Sequence, residues 1–443
     1  MFNKNVCFLL AALAISSVPV SAQKKKNFTI AEATNGLSGT LAIQSVRQPG
    51  WQPGSHNFYQ VVKDGSNEYW VRTTIPSGKT DTVESVRGFN KRQPGKDSLR
   101  GFPVLGWIDH DYAFFNQGHR IVRGTLTGNG ISWESWVNLP EHAENVVVDK
   151  SQQVAYTVKN NLWIAGRDGK SRQVTSDADE NIVNGQSVHR NEFGITGGTF
   201  FSPRGNYLAY YHMDQRMVKD YPVVNWGEMP ATVQMVKYPM AGGPSHEVTL
   251  RVFDPKTGQT VEMETGAPAD QYLTSVTWSP DEQYIFIALL NREQNHLKLN
   301  QYSAATGRFI KTLFEEKHSK YVEPEHQLSF LPGSNERFIW WSERDGYEHL
   351  YLYNTSGQMI RQLTSGKYEV NEIVGFNPAS KDIIITSAKE SPLEKHSYAV
   401  NWTNGRMRRL DREAGVHTVM ASDDGTYIYD TYNAAAVPRV SLI

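Results

Sequence analysis

Three ionisable side chains lie within four residues of one another in the stretch from Gln186 to Ile195, which reads QSVHRNEFGI. They are His189, Arg190 and Glu192, and an apolar, strand-like segment follows them. A carboxylate in a partly dehydrated site binds an ammonium group well, because a charge-assisted hydrogen bond is strong where water is excluded. We therefore predict that Glu192 points into a cavity and binds a cationic group, with Arg190 as a second candidate binding residue.

A structural interpretation of the same three residues stays open. Arg190 and Glu192 could form an ion pair between two repeats of the fold, and His189 could cap a chain end. In that case the stretch would only stabilise the fold.

Motifs for other chemistry are missing from the sequence. The 443 residues contain neither a Gly-x-Ser-x-Gly nucleophile motif nor a His-Glu-x-x-His zinc motif. The segment DADEN that begins at Asp177 starts like a calcium loop but has Ile182 where such a loop needs glycine. We therefore expect no cofactor, no metal and no catalytic residue in this chain.

The elements that must position these residues belong to a repeat. A turn followed by a short aromatic or aliphatic strand recurs at Phe201–Tyr210, Trp278–Phe286, Phe330–Ile339, Phe376–Ile384 and Ala421–Tyr429. Successive turns are 77, 52, 46 and 45 residues apart. A unit of about 45–50 residues with four short strands is typical of a β-propeller blade, whereas a chain of β-sandwiches would not keep this period. We predict an all-β fold, an eight-bladed β-propeller of four-stranded antiparallel blades.

The interval of 77 residues contains an insertion. Residues 212–245 add about 30 residues to the blade period and are rich in Pro, Met, Tyr and Val. So apolar a segment favours contact with a partner surface over free exposure to water.

Composition and the N-terminus bear on location. The formal net charge of -1 gives no basic field for binding nucleic acid or an anionic membrane. Residues 1–22 are predicted to be a signal peptide, with an apolar run from Val6 to Val20 and a small-residue cleavage site ending at Ala22; an uncleaved anchor is the alternative. Residues 23–443 would then contain no cysteine, because Cys7 is the only one. We expect an exported protein, in the periplasm, at the cell surface or outside a bacterial cell.

Several motifs in the same order resemble the N-terminal propeller of the dipeptidyl peptidase IV family. They are VHRNEFGI at Val188, TFFSP at Thr199, YYHMDQRMV at Tyr210, YPMAG at Tyr238, LNREQN at Leu290, WSERDG at Trp341 and HLYLY at His349. The resemblance runs from about residue 28 to the end of the sequence. Within the family, the chain most resembles the bacterial prolyl tripeptidyl peptidases.

The resemblance implies a function. Members of this family are serine exopeptidases that remove di- or tripeptides after a proline near a free N-terminus, and a propeller carboxylate binds the substrate's α-ammonium group. By resemblance, that carboxylate is Glu192. The dipeptidyl enzymes have two adjacent Glu residues, whereas Asn191 precedes Glu192 here, which favours the tripeptidyl branch. The insertion at 212–245 would take part in a homodimer.

The resemblance also implies a second domain. In the family an α/β-hydrolase domain with the Ser, Asp and His triad follows the propeller, and this sequence stops at Ile443, where that domain should begin. We expect residues 23–443 to be the substrate-gating portion of an exopeptidase, inactive by itself. The alternative is an exported propeller that binds peptides or a partner protein without catalysis.

Overall fold

The computed structural model describes residues 27–39, 41–43, 45–92, 98–128 and 130–443. The chain divides into two compact units, Met1–Gln44 and Ser45–Ile443. In the first unit, a short helix α1 (Ile30–Asn35) begins with a capping box between Thr29 and Glu32, and a 3₁₀ turn (Gly36–Ser38) follows it. The predicted signal peptide and Cys7 lie outside the described residues.

The second unit is built from antiparallel sheets that follow one another along the chain. The first three blades each have four strands, with helix α2 (Val86–Arg92) between the first and the second. Blade 1 is β1 (Arg47–Trp51), β2 (Asn57–Asp64), β3 (Asn67–Thr74) and β4 (Lys79–Ser85); blade 2 is β5 (Gly106–Trp107), β6 (Tyr112–Gln117), β7 (Arg120–Thr127) and β8 (Gly130–Asn138); blade 3 is β9 (Ala143–Asp149), β10 (Gln153–Val158), β11 (Asn161–Ala165) and β12 (Ser171–Gln173).

Blade 4 departs from this pattern in two ways. Its first strand is split into two pieces that both pair with the second strand, and a separate hairpin is inserted between the second and third strands. The split strand is β13 (Ile182–Asn184) and β14 (Thr199–Phe201), the second strand is β15 (Leu208–Asp214), the inserted hairpin is β16 (Asp220–Asn225) and β17 (Thr232–Lys237), and the outer strands are β18 (Glu247–Phe253) and β19 (Thr260–Glu262).

Blades 5, 6 and 7 return to four strands, and blade 8 has three. Blade 5 is β20 (Tyr272–Trp278), β21 (Tyr284–Leu290), β22 (His296–Ser303) and β23 (Phe309–Lys317); blade 6 is β24 (Ser329–Phe330), β25 (Arg337–Ser342), β26 (His349–Asn354) and β27 (Met359–Gln362); blade 7 is β28 (Val370–Asn377), β29 (Asp382–Ser387), β30 (His396–Asn401) and β31 (Met407–Arg409); blade 8 is β32 (Val416–Ala421), β33 (Ile428–Ala434) and β34 (Val437–Leu442).

The prediction of an all-β, eight-bladed propeller is therefore confirmed. Two details differ from uniform four-stranded blades: the interrupted first strand of blade 4 and the three strands of blade 8. Among the residues that the structure describes, none of the helices has the length and apolar character needed to cross a bilayer.

The cores lie between neighbouring blades. Buried apolar side chains form clusters between each pair of consecutive blades from 1 to 7 and between blades 8 and 1. The ring closes between blades 8 and 1 through side chains: Trp51 Nε1 donates to the carbonyl of Met420 at 3.0 Å, and His56 bonds to Asp424 at 2.8 Å. Aromatic and β-branched residues supply these clusters because they pack well on pleated surfaces.

A buried carboxylate joins blade 4 to blade 5. Glu282, in the turn before β21, accepts hydrogen bonds from Ser202 Oγ at 2.6 Å, from the Arg204 backbone N–H at 2.6 Å and from Asn206 Nδ2 at 2.7 Å. Burial alone would raise the pKa of this carboxyl, but the hydrogen bonds hold it below its usual value. These bonds fix the position of blade 5 relative to blade 4, the two blades next to Glu192.

We predict that Glu282→Ala lowers the free energy of unfolding by about 2–3 kcal/mol, because three donors at the blade junction lose a charged acceptor. Urea unfolding followed by tryptophan fluorescence measures the change. Glu282→Gln, which keeps one acceptor oxygen, should lose less. Equal stability of Glu282→Ala and the unchanged protein would contradict the role of this bond.

Candidate functional site

The stretch that carries Glu192 is a loop that leaves the first strand of blade 4 between β13 and β14. Gly185 N–H donates to the Tyr211 carbonyl at 2.9 Å, and Tyr211 N–H donates to the Gly198 carbonyl at 3.0 Å, so both ends of the loop meet the same residue of β15. A Cβ on Gly198 would lie 2.0 Å from the carbonyl oxygen of Gln186. Only glycine therefore allows the neck of the loop to close.

The backbone inside this loop is strained. His189, Arg190 and Asn191 have φ of 51°, 59° and 63°, and Phe193 has φ of 58°. Each residue other than glycine costs roughly 1–3 kcal/mol in such a conformation, and strain of this kind concentrates at functional sites. Gly194 continues the turn at φ 67°, where a Cβ would lie 1.9 Å from the Glu325 carbonyl oxygen.

Buried side chains hold the strained turn in place. Val188 and Ile195 belong to the hydrophobic core between blades 4 and 5, and Phe193 packs against Tyr272 with 5.0 Å between the ring centroids. Between these anchors, Arg190, Asn191 and Glu192 are exposed. The strained turn thus exposes three polar side chains, and the buried residues on either side hold it in place.

A pair of buried histidines completes the base. The backbone N–H of Leu273 in blade 5 donates to His189 Nε2 at 3.1 Å, so that nitrogen carries no proton. His189 Nδ1 must then carry the proton and donate it to His246 Nε2, 3.0 Å away. Both imidazoles are therefore neutral. Burial lowers the pKa of His189 well below its usual value and, with Arg292 and Arg190 nearby, lowers that of His246 to about 4.

Glu192 faces a cavity of about 540 Å³ between blades 4 and 5. It is lined by the loop of residues 185–198, by the segment that follows β17 and by residues of blade 5. Its charged and aromatic lining residues are His189, Arg190, Glu192, Tyr238, His246, Asp270, Tyr272 and Arg292.

The charged groups in this cavity are not neutralised by one another. The Arg190 guanidinium lies over the Tyr238 ring at 5.2 Å, and Arg292 lies over Tyr272 at 5.5 Å and donates to its hydroxyl. Among the described residues, no ion pair involves Arg190, Glu192 or Arg292. The cavity therefore offers two carboxylates, Glu192 and Asp270, and two guanidinium groups to a ligand.

The structure places both predicted site residues at this cavity. The alternative interpretation predicted an ion pair between Arg190 and Glu192, and within the described part of the chain that pair is not formed. His189 is buried and accepts a hydrogen bond from the Leu273 backbone N–H of blade 5. Sequence reasoning did not assign Tyr238, His246, Tyr272 or Arg292 to the site, although Tyr238 and Arg292 lie in sequence motifs quoted above.

Acid should destabilise the hydrogen-bonded pair of His189 and His246. A histidine of the unfolded chain binds a proton near pH 6.5, whereas folded His246 does so only near pH 4. The pair's contribution to stability is therefore complete above about pH 6.5 and is lost as the pH falls towards 4. We predict that the melting temperature falls more between these values in the unchanged protein than in His246→Gln.

Thermal unfolding measured across this pH range tests the prediction. His119→Gln, which changes an exposed histidine in the turn between β6 and β7, should keep the pH dependence of the unchanged protein. If His246→Gln also keeps it, the neutral histidine pair does not support the turn.

Known proteins share this fold and sequence pattern. The family model for the dipeptidyl peptidase IV N-terminal region matches residues 132–439. A protein of Talaromyces marneffei provisionally named dipeptidyl-aminopeptidase B is 25% identical over 326 residues, 66% of this chain and 36% of that protein. One of the same provisional name from Phaeosphaeria nodorum is 25% identical over 92% of this chain and 47% of its own length.

Two solved structures are also similar. A protein of Bacteroides ovatus, provisionally named dipeptidyl aminopeptidase IV, is 33% identical with a TM-score of 0.78 over 90% of this chain and 58% of its own. Porphyromonas gingivalis dipeptidyl peptidase 4 shares the fold, with 24% identity and a TM-score of 0.75 over 94% of this chain and 60% of its own. The chain thus spans about a third to a half of the curated relatives that it matches. It belongs to the dipeptidyl peptidase IV N-terminal region family.

Proposed function

We propose that this chain is the propeller portion of an exported serine exopeptidase that releases Xaa-Xaa-Pro tripeptides or Xaa-Pro dipeptides from the N-termini of peptides. In this proposal the propeller admits the substrate and binds its N-terminus. A hydrolase domain joined to the propeller supplies the Ser, Asp and His triad and the proline pocket. The names of the similar proteins support a peptidase.

The observation that carries the proposal is the free carboxylate of Glu192. It stands exposed on a strained turn, lines a cavity of about 540 Å³ and has no ion pair with a described residue. A peptide α-ammonium group is a cation with three N–H donors, so it can satisfy such a carboxylate directly. The cavity is large enough for the first residues of a peptide.

The guanidinium groups support the same orientation of the substrate. Arg190 and Arg292 rest on aromatic rings and keep N–H groups available to carbonyl oxygens. A peptide whose ammonium group binds Glu192 would bring its first carbonyl groups within reach of this wall. The propeller would then set the distance between the N-terminus and the scissile bond.

The two product lengths have separate support. Asn191 precedes Glu192, and this single Glu resembles the tripeptidyl branch. The similar proteins are named as dipeptidyl aminopeptidases, which favours release of dipeptides. Relative kcat/KM on Ala-Ala-Pro and Ala-Pro chromogenic substrates, measured with the propeller joined to its hydrolase domain, decides between them.

We predict that Glu192→Gln weakens binding of a free Ala-Ala-Pro or Ala-Pro peptide to the 443-residue chain by about tenfold or more, because a charged acceptor is replaced by a neutral one. Isothermal titration calorimetry measures the change. N-acetylated peptides should bind both proteins equally weakly. Glu141→Gln, which changes an exposed carboxylate outside the cavity, is the matched control. Equal binding of free and acetylated peptides to the unchanged chain would contradict the proposal.

The inserted hairpin is proposed to form a homodimer. The strands β16 and β17 lie at the surface, and several apolar side chains on or near them are exposed, including Trp226 at 82% and Met229 at 100%. A monomeric protein rarely leaves so many apolar side chains together in water. The predicted insertion at 212–245 begins inside β15, and the hairpin itself occupies 220–237.

We predict that replacing Trp226 and Met229 together by Ser converts a dimer into a folded monomer, because both side chains are exposed and contribute nothing to the core of one chain. Sedimentation velocity at micromolar concentration measures the assembly. Leu393→Ser, at an apolar side chain that is 86% exposed elsewhere, should leave the dimer intact. A monomeric unchanged protein, or a dimeric double variant, would rule out this role of the hairpin.

A further inference from the structure

A buried polar cluster lies at the junction of blades 7 and 8. His396 begins β30 of blade 7, His417 lies in β32 of blade 8, and Asp411 lies between the two blades. The side chains of the two histidines and Asp411 are 0–2% exposed. One ligand atom from each of these three residues lies within 4.8 Å of the other two.

The inner atoms of the cluster have the spacing of metal ligands. Asp411 Oδ1 is 2.9 Å from His396 Nδ1 and 3.8 Å from His417 Nε2. The backbone carbonyl oxygen of Glu413 is 3.1 Å from the same His417 nitrogen. Ligand atoms around a tetrahedral zinc ion are roughly 3.4 Å apart, given bonds of about 2.0–2.2 Å. The three separations of 2.9, 3.1 and 3.8 Å are each within about 0.5 Å of that spacing.

The outer nitrogens of both histidines bond to carboxylates. His396 Nε2 is 3.0 Å from Glu394 Oε2, and His417 Nδ1 is 2.7 Å from Asp430 Oδ2. A histidine that binds a metal through one nitrogen usually bonds to a carboxylate or carbonyl through the other. Asp430 Oδ1 is buried without a hydrogen-bond partner. Such an oxygen is costly to bury unless a nearby positive charge stabilises it.

The local charge also suits a divalent ion. Asp411, Glu394 and Asp430 contribute three negative charges, and Arg409 contributes one positive charge through a bond from its Nε to Asp411 Oδ1 at 2.7 Å. With neutral imidazoles, the cluster has a net charge of -2, which a single divalent cation balances. Glu394 and Arg409 are each 31% exposed, so one layer of side chains separates the cluster from solvent.

This junction also differs from the others in what holds it together. The described residues form apolar clusters at the other seven blade junctions. Blades 7 and 8 are joined instead by the polar cluster and by two backbone hydrogen bonds, from Lys395 N–H to the Gly415 carbonyl and from His417 N–H to the Lys395 carbonyl. Blade 8 has three strands. A metal ion that links the two blades would therefore add most to the stability of the protein at this junction.

We propose that His396, Asp411 and His417, with the Glu413 carbonyl, bind one zinc ion that fastens blade 8 to blade 7. A mixed set of imidazole and oxygen ligands suits zinc, whereas magnesium and calcium prefer oxygen alone. The buried position leaves no room for a substrate, so the ion has a structural role. No local motif predicts this site, because the three residues are 15 and 6 positions apart in the sequence.

Zinc titration of the chelator-treated 443-residue chain tests the proposal. We expect one zinc ion per chain by calorimetry and by metal analysis after dialysis, and a higher melting temperature with zinc than with EDTA. Asp430→Asn, which keeps the size of the side chain, should weaken zinc binding by about 10–100-fold. His417→Gln should abolish it. His56→Gln, at the histidine–aspartate pair between blades 8 and 1, should leave it unchanged.

Two outcomes would overturn the proposal. One is an unchanged chain that binds no more zinc than His417→Gln does. The other is full zinc binding in a folded His417→Gln variant, which would place the ion elsewhere. If His417→Gln does not fold, cobalt added to the unchanged chain decides: the visible absorption bands of four- or five-coordinate cobalt support the site, and their absence refutes it.

Discussion

The hydrogen bond from the Leu273 backbone to His189 is the contact on which the site depends. It links blade 5 to the loop of blade 4 and leaves the proton of His189 on the nitrogen that faces His246. His246 directly follows the inserted segment and immediately precedes β18. One chain of hydrogen bonds therefore fixes the relative positions of two blades, the strained turn and the wall of the cavity.

This arrangement explains why unfavourable backbone angles persist. Three consecutive residues other than glycine in the left-handed region would relax in a free loop, because each costs free energy. Here the side chains of Val188, Phe193 and Ile195 are buried on either side, and relaxation would expose them. The polar residues between them are thus held outward before any ligand arrives, which lowers the entropic cost of binding.

Much of the fold could be predicted from the sequence because it repeats. Recurrent turn residues such as the Ser-Pro pairs at Pro203 and Pro280 mark the blades, and their spacing indicated eight of them. The two departures were harder to predict. The split of the first strand of blade 4 depends on Tyr211 bonding to both ends of a loop, and a regular period does not predict that blade 8 has three strands.

The site could be predicted in part. Glu192 and Arg190 were identified because they interrupt a repeat, but the groups that surround them come from other blades and from the insertion. Arg292 and Tyr272 lie some 80 or more residues away in sequence, and only the packing of blade 5 against blade 4 brings them to the cavity. The position of His246 opposite His189 likewise follows from the path of the inserted segment.

The central claim is that the Glu192 carboxylate binds the N-terminus of a peptide. A crystal structure of the 443-residue chain with a free Ala-Ala-Pro or Ala-Pro peptide tests it most directly. We expect the peptide nitrogen within about 3 Å of a Glu192 carboxylate oxygen, the distance of a charge-assisted hydrogen bond. A peptide bound in this cavity with its ammonium group in solvent, or bound at another site, would contradict the account.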